Sequence, residues 1–260
     1  MIMLDQLPIW AVFVGTVVLI LIFAEIGFRI GIWLQRREAS SRKTPMTGAV
    51  VGGMLSLVAF LLAFSMGIVI NQHNTRKELV VTEANAVGTA YLRAGFLGDV
   101  DRFSARDLLR EYVDVRLEAA SDPALLESTL NRTEEIHTIL WLIVEDNVGK
   151  GQKSAIMALF ADSINKVIDI HSLRLTAAEL RLPRQIGLVL YATTMLSSLL
   201  IGVASSADGK PNSIVILLLA LAFVTVFIII IDLDRPQQGL ITVSQSALSD
   251  LLQQMATPVP

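Results

Sequence analysis

Residues 48–97 read GAVVGGMLSLVAFLLAFSMGIVINQHNTRKELVVTEANAVGTAYLRAGFL. No proline interrupts them, so the stretch predicts one α-helix of up to ~50 residues, a rise of roughly 75 Å. From Thr44 to Thr75 the chain carries no Asp, Glu, Lys or Arg, long enough to cross a bilayer; beyond Thr75 charges return without any helix breaker. One helix is therefore expected to leave a membrane and continue into a soluble domain, joining the two parts mechanically.

Three further charge-free runs lie outward from this one, at 6–24, 185–207 and 211–231. In the first, Glu25 and Arg29 follow within the next turns, but at i, i+4 they pair with each other while the apolar run continues to Leu34. Trp10 and Trp33 bracket that segment as interfacial anchors. With no basic n-region and no small-residue cleavage site, it reads as a retained span and not a signal peptide. The predicted spans are 8–34, 48–71, 185–206 and 211–231. Composition agrees: of 260 residues 53% are hydrophobic and 17% charged, with a mean hydropathy of +0.60, whereas soluble domains carry about a quarter charged residues.

Residues 72–184 hold 14 of the 21 basic and 17 of the 24 acidic residues and form an extramembrane domain. Its periodicity is helical. Leu108, Leu109, Tyr112, Val113 and Leu117 share one stripe, Asp122 and Pro123 start a helix reaching about Asn147, and Gly149, Lys150 and Gly151 make a turn. A last helix, about 152–181, ends before Pro183. Residues 233–260 read as a polar C-terminal segment. The expected fold is an all-α membrane protein, two plus two transmembrane helices flanking a helical domain, assembled as a symmetric homo-oligomer in the lipid bilayer.

Three patterns lie on the long helix. Gly48, Gly52, Ser56, Ala59, Ala63 and Gly67 form a small-residue seam that lets another helix approach closely, within one subunit, between subunits or along a narrow pore. The third span repeats the theme with Gly187, Tyr191, Thr194, Ser198 and Gly202, and two such seams exceed what a four-helix monomer requires. Phe60, Phe64 and Ile68 form an apolar column at four-residue steps; several copies around an axis would stack apolar rings able to gate by dewetting, and in one copy the column faces lipid or neighbouring helices. Asn71, Thr75, Glu78, Thr82, Asn85 and Thr89 then form a polar stripe with a single carboxylate, suited to the wet face of a bundle or to a vestibule where small inorganic ions bind weakly.

Charges at membrane edges are costly enough to need partners. Glu25 and Arg29 supply each other. Asp232, Asp234 and Arg235 form a second cluster at the end of the fourth span, where a carboxylate opposes the helix macrodipole and calls for a cation. These five residues are read as structural anchors.

Other classes fall away. The formal net charge of −3 provides no basic field for nucleic acid, and the absence of cysteine excludes thiolate chemistry and disulfides. The run from Gly149 to Ser154 lacks the glycine spacing and the preceding strand of a phosphate-binding loop. His73, His137 and His171 are scattered without metal-ligand spacing, so no metal, cofactor or catalytic residue is assigned.

The run Leu62–Ala63–Phe64–Ser65, the stretch Glu83–Ala84–Asn85–Ala86–Val87–Gly88–Thr89–Ala90–Tyr91–Leu92–Arg93 and the tail Asp232–Leu233–Asp234–Arg235–Pro236–Gln237–Gln238–Gly239 resemble the bacterial bestrophin-like domain family. The resemblance covers most of the chain. It implies kinship with bestrophins, pentameric anion channels such as chloride channels, whose second membrane helix lines an apolar neck above a helical vestibule. On that likeness Phe60, Phe64 and Ile68 stand at the neck, and Asn71 onward lines the vestibule. The acidic calcium clasp of animal bestrophins has no match here, so calcium activation is not carried over.

The functional expectation is an oligomeric inner-membrane ion channel, anions first, and not an enzyme. The alternative is a non-conducting scaffold or sensor whose helical domain binds a partner. For orientation, Arg36, Arg37, Arg42 and Lys43 between the first two spans favour a cytoplasmic loop and hence an extracytoplasmic domain, whereas the bestrophin likeness implies the reverse. The charge rule is given the slight preference.

Overall fold

The computed structural model describes residues 8–37, 46–152, 154–208, 213–235 and 239–256. Arg42, Lys43, Lys153, Pro236, Gln237 and Gln238 of the sequence motifs lie outside these. The described residues form helices α1 (Ile9–Arg37), α2 (Met46–Arg93), α3 (Asp99–Ser121), α4 (Leu126–Gly149), α5 (Ala155–Glu179), α6 (Arg184–Ser205), α7 (Ser213–Asp234) and α8 (Ser246–Ala256), with no strand among them. Four helices, α1, α2, α6 and α7, are long and apolar enough to cross a membrane. The chain is an all-α, multi-pass membrane protein. It divides into one unit of Met1–Asn71 with Arg181–Ile241 and another of Gln72–Leu180 with Thr242–Pro260.

In the first unit α1 buries Val12, Thr16, Ile20, Ala24, Gly27 and Gly31, a stripe at steps of three and four. Its glycines allow α6 to come close: a Cβ on Gly27 would collide with the Leu199 carbonyl, and one on Gly202 with the Ala24 carbonyl. Thr16 shares a hydroxyl hydrogen bond with Tyr191 at 3.0 Å, and Gln35 donates to Ser206 at 3.0 Å, so the paired positions ascend together and the two helices run parallel. Backbone approach and polar contacts of this kind hold helices together where lipid removes the hydrophobic drive. The spanning part of α2 buries Val58, Leu62 and Val69 against Leu182, Leu190, Ile230 and Leu233.

The end of α7 is built from backbone amides. The Asp232 carboxylate accepts from the N–H groups of Leu240 and Ile241 at 2.7 and 2.8 Å, and the Asp234 carboxylate accepts from that of Leu182 at 2.6 Å. Arg181 donates to the Asp234 carbonyl at 2.6 Å, placing a cation at the helix C-terminus. Beyond the cation that the helix terminus calls for, the structure supplies backbone amides, which lend each carboxylate charge-assisted hydrogen bonds.

In the second unit α3, α4, α5 and α8 pack with the distal part of α2 around Leu109, Tyr112, Ile136, Leu140, Phe160, Ile164 and Leu248. The connections follow from local chemistry. Asp122 accepts from the Ala124 N–H at 2.9 Å, Gly151 takes a φ of 85° in the turn after α4, and Ser154 caps α5 by accepting from Met157 at 3.2 Å. Arg76 donates to the carbonyls of Ala177 and Leu180 at 3.0 and 2.6 Å, a cation closing the C-terminal end of α5.

The segment 233–260 is more than a polar tail. Ala247, Leu248, Leu251, Leu252 and Met255 fall on one face of α8 and join the core of the second unit. Tyr91 and Arg110 both donate to the Met255 carbonyl, and Arg110 also donates to the Tyr91 hydroxyl at 2.8 Å. The amphipathic spacing was present in the sequence, but the helix is only 11 residues long and is stable through this docking.

Candidate functional site

A single period organises α2. Val58, Leu62, Ser65, Val69, Arg76, Val80, Glu83, Val87, Ala90 and Ala94 are all buried and recur at three- and four-residue steps, or two such steps between Val69 and Arg76. The opposite side is exposed. Phe60 is 65% and Phe64 55% exposed, Ile68 is half-buried, and Asn71, Thr75, Glu78, Thr82, Asn85 and Thr89 are exposed throughout.

The small-residue seam belongs to the same open arc. Gly48, Gly52, Ser56, Ala59, Ala63 and Gly67 are exposed, and a Cβ added at Gly48, Gly52 or Gly67 would meet nothing within 4 Å among the described residues. The third span differs: Ser198 and Gly202 are buried, Gly202 against Ala24 and Phe28 of α1. Of the two seams, the one on α6 is used inside the chain, which removes it from the sequence argument that both exceed the needs of a monomer.

The charge clusters take separate places. Arg29 donates to Glu25 at 2.8 Å across one turn of α1, with both side chains half exposed or more. Asp232, Asp234 and Arg235 are buried at the end of α7.

Within the second unit lies a polar core that sequence reasoning did not assemble. Glu83 is fully buried on α2. Its carboxylate accepts from the Tyr112 hydroxyl of α3 at 2.7 Å, stands 3.3 Å from the Arg116 guanidinium and is hydrogen-bonded by Arg174 of α5. Arg174 also donates to Gln245, just before α8, at 3.2 Å. His137 of α4 and His171 of α5 complete the group, their rings edge to face with centroids 5.1 Å apart, and Tyr112 lies against both. Burial raises the Tyr112 hydroxyl well above the usual phenol range, and the adjacent Glu83 carboxylate pushes the same way. Burial lowers both imidazoles to about 4, helped by the Arg116 cation. Among the described residues no three His, Asp or Glu side chains gather as a metal site.

A sequence model described as the Bestrophin-like domain matches residues 10–248. The chain belongs to the Bestrophin-like domain family. No curated protein matches it. The Bestrophin-like fold has solved counterparts. A crystal structure of a membrane protein bearing one substitution superposes with a TM-score of 0.69 at 14% identity, covering 93% of this chain and 97% of that one. Two substituted forms of a bacterial bestrophin homologue from Klebsiella pneumoniae each give 0.65, at 16% and 15% identity, covering 93% of this chain and 97% and 96% of theirs. At these identities the likeness is one of fold.

In this Bestrophin-like chain the missed residue is Glu83, a carboxylate in register with Val80 and Val87 on the apolar side of α2. A charge between Val80 and Val87 on the dry side of the helix is the signal that marks it. Its partners lie 29 to 91 residues away, and no spacing rule reaches them.

Proposed function

We propose that the protein is an oligomeric ion channel in which the exposed arc of α2 from several copies surrounds the ion path. The observation that supports this reading is the continuity of an apolar column, exposed at Phe60 and Phe64 and half-buried at Ile68, into an exposed polar stripe, Asn71 to Thr89, on one helix whose other side is buried. Among the described residues a single copy leaves Phe60, Phe64 and the small-residue seam exposed. Packing a second copy on the seam covers it, since small residues let two helix backbones approach. The column then forms the neck, which resists hydration when closed, and the stripe wets the vestibule. Anion preference, a pentameric ring and the bacterial inner membrane are proposed on family likeness, as is the absence of enzymatic activity.

Reconstituted protein is expected to pass small anions, and Phe64→Ala with Ile68→Ala is expected to raise leak flux about tenfold or more by widening and wetting the neck. Flux equal to that of empty liposomes for both wild type and variant would remove the channel reading and leave a scaffold whose second unit binds a partner. Bi-ionic reversal potentials favouring cations would remove anion selectivity alone.

The basic residues between the first two spans favour a second unit outside the cytoplasm, against the orientation that the family likeness implies. The chain has no cysteine, so one introduced at exposed Ser128 reports cleanly. A membrane-impermeant maleimide should label it on intact spheroplasts. Labelling only after lysis would reverse the orientation.

A further inference from the structure

We propose that the Glu83, Tyr112, Arg116, His137, His171 and Arg174 cluster makes the second unit acid-responsive, with protonation of the two histidines loosening the packing of α2, α3, α4 and α5. The groups facing the two rings come from each surrounding element: Glu83 from α2, Tyr112 and Arg116 from α3, and Arg174 from α5, with Gln245 beyond Arg174 on the segment before α8. With both imidazoles neutral the cluster holds one carboxylate against two guanidiniums, a formal charge of +1. Protonating both rings raises it to +3 in a space where His137 is 8% and His171 4% exposed. Among the described residues Glu83 is the carboxylate that acts on both rings. His137 Nε2 and His171 Nδ1 are buried and have no hydrogen-bond partner among the described residues, so a proton added there would meet no acceptor among them.

The direction follows from where the proton is bound more readily. A histidine in the unfolded or locally opened chain titrates near 6.5, whereas in the closed unit burial holds each ring down to about 4. Between these values the open form binds more protons. The contribution to stability is thus fully present above about pH 6.5 and is lost as pH falls towards 4. At pH 5 an opening that frees one ring is favoured about 20-fold more than at pH 7, and one that frees both roughly 500-fold. Glu83 lies on the same helix as Thr82 and Asn85 of the exposed stripe, so loosening reaches the helix that carries the ion path; this last step rests on the channel reading, and the loosening itself does not.

The test is hydrogen exchange by mass spectrometry on the full-length protein in nanodiscs at pH 7.5 and 5.0, corrected for the intrinsic pH dependence of exchange. Peptides from α3, α4 and the Glu83 region of α2 should exchange at least tenfold faster at pH 5.0 in the wild type, and the change should shrink in His137→Gln with His171→Gln. His73→Gln, outside the cluster, should respond like the wild type. Unchanged wild-type protection would overturn the proposal, as would an equal response in the double variant. Should that variant fail to fold, histidine ring NMR of the wild type decides: the two rings must stay neutral in the closed unit at pH 5, and rings already protonated there would overturn it. Flux on the same samples separates the two readings, since acid loosening without conduction at any pH removes the channel and leaves the acid response.

Discussion

Replacing Glu83 with alanine is expected to destabilise the second unit by about 3–5 kcal/mol, because it leaves buried cations with no counter-charge. The Arg116 and Arg174 side chains are 8% and 11% exposed and both address this carboxylate, so neither has water to replace it. Tyr112 would lose its acceptor as well. The apparent melting temperature in detergent should fall on the order of 10 °C. Glu83→Gln keeps an acceptor for Tyr112 but not the charge, and should fall between the alanine variant and wild type. A melting temperature within 2 °C of wild type for Glu83→Ala would show that the cluster is not an electrostatic keystone of the fold, since a loss of that size is roughly 1 kcal/mol or less.

The second large effect concerns two glycines that look alike in sequence. Gly202→Val is expected to disrupt the first unit, because even the first added carbon collides with the Ala24 carbonyl and the Phe28 amide, and backbone cannot yield as a flexible side chain would. Overpacking of this type costs about 1–3 kcal/mol, and more where backbones touch. The variant should lose its monodisperse peak on size exclusion. Gly52→Val has open space around its added atoms and should fold normally. If the α2 seam joins subunits, Gly52→Val should instead shift the assembly to smaller particles while leaving helix content and melting intact. A monodisperse Gly202→Val of native stability would contradict the close pairing of α1 and α6.

The contrast between Gly202 and Gly52 shows what a sequence conveys about such a fold. The spans are legible because a charge-free run of bilayer length has few soluble alternatives, and α2 is legible as one helix because nothing in it stops a helix. The use of each small-residue seam is not legible. Gly52 and Gly202 satisfy the same spacing rule, and only the positions of Ala24 and Phe28 distinguish them. The stripe from Asn71 to Thr89 is readable as a polar face, while Glu83 beside it is hidden in a run where every other turn offers a polar residue. Its meaning depends on Tyr112, Arg116 and Arg174, brought together only by the packing of three helices. In α8 the apolar spacing was visible, but nothing local marks a short helix as docked.

The most direct measurement is a cryo-electron microscopy map of the full-length protein purified in detergent or nanodiscs. A symmetric ring is expected, with α2 of each copy around the axis and Phe60, Phe64 and Ile68 facing a central path. A monomer or dimer, or a ring whose axis is lined by another helix with the α2 column turned to lipid, would contradict it.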